Sequence, residues 1–195
     1  MHHNHYTMKF IFSTILLCFI YQTSLAQDNS FLKIKKIYDD NKLEKCIKKI
    51  DGMLKKDDFK KEPALHMYQS MAWYKISQTS GLKDSYPKAL KDALKSANKS
   101  KKYDVGNKYL NKYYPFIERM QNTTLNLAYY EYEEEGHYSL AKFYYDQLVD
   151  LCTDTFALYM AGKCDIMNDR EIEGYKSIEQ VVNANYDAYN KGKVQ

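Results

Sequence analysis

Four glutamates, Glu131, Glu133, Glu134 and Glu135, crowd beside His137. Carboxylates next to an imidazole are the groups that move protons in general acid–base catalysis. Here they fall at the end of a helical run and in the turn marked by Gly136, where exposed acids are ordinary. His2, His3 and His5 are metal-ligating types, but they precede an apolar leader and would leave with it. His66 follows a Pro-opened helix start and reads as a surface or partly buried side chain; Trp73 reads as core. The chain has no GxSxG, HExxH, P-loop or GxGxxG pattern. No catalytic residue, metal or cofactor is assigned, and the chain is read as non-enzymatic.

The cysteines point to structure rather than chemistry. Cys18 lies in the leader, which leaves Cys46, Cys152 and Cys164, an odd number. If Cys152 ends one helix and Cys164 lies late in the next, they stand about 10 Å or more apart at the helical rise. A disulfide needs Cα atoms within roughly 7 Å. Free, buried thiols are therefore expected. No CxxC pair supports zinc, and the mature histidines, His66 and His137, have no partner at ligand spacing.

The leader has its own signature. Met8 and Lys9 give a basic start, Phe10 to Tyr21 is an apolar run, and Ser24, Leu25 and Ala26 form a small-x-small cleavage pattern before Gln27. The run is shorter than the about 20 residues that span a bilayer. Residues 1–26 are read as a cleaved secretory signal, 27–184 as the folded domain and 185–195 as a polar tail. The mature chain is expected to be exported: periplasmic, on the cell surface or secreted.

The elements that must position any site are helical. Among 195 residues, 45% are hydrophobic, enough for a core; Gly 7 and Pro 3 are too scarce for a turn-rich β fold. The apolar period is near 3.6 from Phe31 onward. It predicts helices over Leu32–Tyr38, Leu43–Leu54, Glu62–Ile76 and Pro87–Ala97. A fifth is predicted over Tyr109–Met120 with a kink or break at Pro115, and a sixth starting near Asn122, Thr123 and Thr124 and ending before Gly136. Three more follow: Tyr138–Leu151, one capped by Asp154 and Thr155 that ends near Asn168, and Glu171 to about Ala184. The fold class is all-α, built from antiparallel hairpins with short links.

One stretch repeats a recognisable pattern. Tyr132, Gly136, Tyr138, Ala141, Tyr145 and Leu148 place an aromatic residue in a first helix, a glycine in the turn, then Tyr-x-x-Ala-x-x-x-Tyr-x-x-Leu. This resembles a tetratricopeptide (TPR) hairpin. Weaker copies centre on Cys46, Ala89 and Gly174. The small positions Cys46, Ala89, Ala141 and Gly174 are 43, 52 and 33 residues apart, and only the last interval is close to the family's period of about 34. The resemblance is strongest over 122–184. It implies hairpins stacked as a short TPR-like α-solenoid, with small residues letting paired helices approach and Tyr132 and Tyr145 filling the gaps between hairpins.

The resemblance also implies a site. First helices of TPR hairpins line a groove, which by position places Asn126, Tyr130 and Glu133 in it from one hairpin and Tyr159 and Lys163 from the next. Met67, Met71 and Tyr74 would join from further upstream. Tyrosine suits such a surface, being large, rigid and amphipathic. The chain is thus expected to be an interaction module or scaffold binding a protein or peptide of the cell envelope. The leader and the Lys/Asn/Tyr bias resemble exported proteins of Bacteroidota-type bacteria. The alternative is a helical carrier holding a small hydrophobic or glycan ligand in a Tyr-rich cavity.

Charge is divided along the chain. From Gln27 to Lys112, 21 Lys face 11 acids; from Tyr113 to Gln195, 7 basic residues face 14 acids. Either half can attract an oppositely charged partner. Arg, the preferred reader of bases, is nearly absent, so no nucleic acid is expected.

Overall fold

A computed structural model describes residues 31–193, with side chains placed to residue 184. The expected leader at 1–26, with His2, His3, His5 and Cys18, lies outside the described residues. Among the described residues there are ten helices and no strand: α1 (31–39), α2 (Leu43–Leu54), α3 (Pro63–Gln78), α4 (Ser80–Lys83), α5 (Ala89–Tyr103), α6 (Lys108–Lys112), α7 (Tyr114–Glu133), α8 (Tyr138–Cys152), α9 (Thr155–Met167) and α10 (Glu171–Lys193). No described helix is long and apolar enough to cross a membrane.

Capping contacts explain several boundaries. Glu62 accepts from the Ala64 amide and Pro63 fills the first position of α3, where its missing N–H costs nothing. Asp154 accepts from the amides of Phe156 and Ala157 at 2.9 and 3.1 Å, opening α9. Buried Asp104 accepts from the Tyr109 and Leu110 amides and so fixes the short α6. Gly136, at φ +64°, makes the left-handed turn between α7 and α8.

One predicted boundary moves. The break falls at Tyr113, and Pro115 opens α7 instead of kinking a helix in progress. Asn122, Thr123 and Thr124 lie inside α7 and cap nothing. The Thr123 and Thr124 hydroxyls donate to the carbonyls of Arg119 and Met120, four residues back, so both are satisfied without a helix end. The last helix runs past Ala184 to Lys193.

Successive long helices pack on one another: α2 on α3, α3 on α5, α7 on α8, α8 on α9 and α9 on α10. Side chains also link helices further apart in the chain. Along α3 and α7, Tyr68 meets Tyr113 and Tyr74 meets Thr123. Along α5 and α8, Asn98 donates to Gln147, and Lys101 to the Asp150 carbonyl. Along α7 and α9, Gln121 donates to Asp154 and Lys163 sits on Tyr132. The largest core cluster draws on α3, α5, α7, α8 and α9; Ala141, Tyr145 and Leu148 are fully buried in it. Two smaller clusters lie at the N-terminal end, around Ile34, Cys46, Ile50 and Leu65, and around Leu43, Ile47, Ala72 and Ile76.

The tightest approach joins α9 to α10. A Cβ on Gly174 would lie 2.6 Å from the Gly162 carbonyl oxygen, and one on Gly162 would lie 2.8 Å from that of Gly174. Backbone meets backbone there, which only glycine at both positions permits. An ion-pair chain around the buried Asp165 reinforces the same region. Lys142 on α8 pairs with Asp146 at 2.7 Å and Asp165 at 3.3 Å, and Arg170 reaches Asp165 at 2.7 Å.

Candidate functional site

The outward faces of α7 and α9 carry the residues that the repeat pattern points to. Side chains link the two helices at Gln121 with Asp154 and at Tyr132 with Lys163, and residues spaced by three or four share one face of each helix. Asn126, Tyr130 and Glu133 are exposed along α7. Tyr159 is exposed on α9, with Lys163 one turn further and half-buried.

Lys163 ties the two helices together. Its ammonium lies 4.9 Å from the centre of the Tyr132 ring, within cation–π range. Burial opposes its charge, but a hydrogen bond with Tyr132 and the nearby Tyr159 and Glu133 outweigh that, and its pKa is raised. The Tyr132 ring in turn meets Tyr138 edge-on at 5.3 Å. Tyr130 donates its hydroxyl to Glu135, and that bond raises the phenol's pKa. His137 pairs with Glu131 at 2.9 Å across the same turn. Two of the acids beside His137, Glu131 and Glu135, are thus engaged in local pairing around Gly136.

The three upstream candidates do not join this surface. Met67 is fully buried in the largest core cluster, on the face of α3 turned toward α5 and α7, and has no surface to offer. Met71 is half-buried between clusters. Tyr74 spends its hydroxyl on Thr123 at 2.9 Å and packs its ring edge-on against Phe116 at 5.5 Å. These three hold α3 against α7. Two exposed aromatics that position counting passed over do join: Tyr129 and Phe156, each 52% exposed. Their signal was available, since Tyr129 adjoins Tyr130 and Phe156 precedes Tyr159 by one turn.

Elsewhere the molecule offers clefts rather than reactive groups. One of about 470 Å³ runs between the α3–α5 pair and the α7–α8 pair, lined by Tyr86, Pro87, Leu90, Thr123, Leu127 and Tyr144 among others. Tyr130 and Tyr159 do not line it. The lysines of α5 cover aromatic rings: Lys91 lies 5.4 Å and Lys95 5.7 Å from the centre of Phe143. Part of the basic half therefore serves packing. Cys46, Cys152 and Cys164 are free, with Cys152 half-buried and the other two buried. Burial pushes the Cys46 thiol up to about 11 and that of Cys164 up to about 12. Neutral thiols of that kind are poor nucleophiles. Among the described residues, no group of three or more His, Cys, Asp or Glu side chains is placed to hold a metal ion.

Compared with known protein families and with curated proteins, the chain matches none.

Proposed function

We propose that this chain is an exported, TPR-like helical module of the cell envelope that binds a protein or peptide partner across α7 and α9 and performs no chemistry. The observation that carries the reading is the seating of Lys163 of α9 on Tyr132 of α7, with Glu133 and Tyr159 near its charge and Tyr130 exposed on the same helix as Glu133. Exposed tyrosines on rigid helices lose little entropy on binding and bring large contact areas. The solenoid part of the reading draws on the successive packing of α3 on α5, α7 on α8, α8 on α9 and α9 on α10 and on the side-chain links between helices further apart. Stacked hairpins of this sort make extended binding surfaces.

The test is affinity capture from the native envelope with the wild-type chain, Tyr130→Ala and Tyr159→Ala. Both sites are exposed, so neither substitution should disturb the fold. Proteins retained by wild type and lost by both variants support the proposal; the same proteins recovered with all three chains refute it. The second reading, a carrier of a small hydrophobic or glycan ligand, draws on the cleft lined by Tyr86 and Tyr144. It expects ligand binding that survives both surface substitutions.

A further inference from the structure

The binding surface has a charge as well as a shape. Glu133, Glu134 and Glu135 are exposed at the end of α7 that also exposes Tyr129 and Tyr130, and α9 exposes Phe156 and Tyr159. Lysine of this chain already shows what the surface accepts: the Lys163 ammonium rests on Tyr132, with Glu133 and Tyr159 close enough to favour its charge.

We infer that the α7–α9 surface takes a cationic peptide segment, whose Lys or Arg side chains lie over Tyr130 and Tyr159 and pair with the carboxylates of Glu133 and Glu134. This rests on the binding reading above and adds the chemical class of the partner. Aromatic faces attract cations, more so once partly desolvated, and neighbouring carboxylates add Coulomb attraction and steer the approach. The C-terminal half as a whole is acidic, so the α10 acids are the control that separates this surface from general attraction.

The experiment uses the full chain and two labelled probes, deca-lysine and deca-glutamate, followed by fluorescence anisotropy at about 50 and about 300 mM salt. Deca-lysine should bind, weaken at the higher salt, and weaken about tenfold in the pair Glu133→Gln with Glu134→Gln and again in the pair Tyr130→Ala with Tyr159→Ala. Glu171→Gln with Glu173→Gln, on α10, should leave it unchanged. Preference for deca-glutamate, or an equal loss in the α10 variant, overturns the cationic class. If envelope capture still depends on Tyr130 and Tyr159 in that event, the binding reading stands and only the partner's chemistry falls. If capture is indifferent to both tyrosines, the binding reading itself falls.

Discussion

The two ends of the molecule solve the same packing problem with different side chains. At the N-terminal end, α1, α2 and α3 meet through two small clusters of Ile, Leu, Cys and Tyr, and the helices are joined by irregular links. At the C-terminal end, α9 and α10 approach until backbone touches backbone at Gly162 and Gly174, and Lys142 of α8 joins Arg170 in pairing with the buried Asp165. The first arrangement tolerates a change in side-chain volume by shifting; the second does not, because no flexible atom stands between the helices. The difference teaches where a rigid surface can be built. The exposed tyrosines of α7 and α9 stand over the rigid end.

The largest effect should come from the centre of that end. Tyr145→Ala empties a fully buried position and should cost about 3–5 kcal/mol in urea denaturation. Tyr145→Phe removes only the unpaired hydroxyl and should leave stability equal or higher. Next come two helical glycines with opposite signs. Gly174→Ala drives a methyl into the Gly162 carbonyl and should destabilise by about 1–3 kcal/mol, even after the helix-propensity gain. Gly52→Ala, in α2 with nothing within 4 Å of the new Cβ, should stabilise by up to about 1 kcal/mol.

Much of this was legible in the residues. Apolar spacing and caps placed α2, α3, α5, α8 and α9, since Glu62 before Pro63 and Asp154 before Thr155 leave amides that a carboxylate must satisfy. The boundary at Tyr113 was not legible. Proline and three polar residues are ambiguous marks, and only the i−4 carbonyls that accept from Thr123 and Thr124 settle that these lie mid-helix. Gly174 was visible as a small position through the repeat, whereas its partner Gly162 was not; a glycine inside a helical run announces a reason without naming the neighbour. On the surface, spacing picked out Tyr130, Glu133 and Tyr159, which are exposed, but it also took in Met67, which is fully buried, because one helix face cannot be told from the next until its partners are known.

Two smaller effects sharpen the contrast between the ends. His66 is buried near α5, donates its Nε2–H to the Lys60 carbonyl at 3.0 Å, and lies beside Gln69, Tyr103 and Lys99. Burial holds its pKa below the ordinary 6.5, so the folded chain keeps it neutral. Its contribution is complete above about 6.5 and is lost as pH falls below that value, where the unfolded chain takes up the proton first. The urea midpoint should therefore drop between about pH 7 and about pH 5, and less so in His66→Gln. The smallest effect is in thiol reactivity. Cys152, half-buried, should react with iodoacetamide before Cys46 and Cys164, which should wait for unfolding.

The most direct measurement is tyrosine footprinting with tetranitromethane, with and without the captured partner. Tyr130, Tyr159 and Tyr175 are exposed at 48%, 40% and 60%, and Tyr175 on α10 lies outside the proposed surface. The account predicts that the partner shields Tyr130 and Tyr159 from nitration while Tyr175 reacts as before. Equal nitration of Tyr130 and Tyr159 in both states, or shielding at Tyr175 alone, would contradict it.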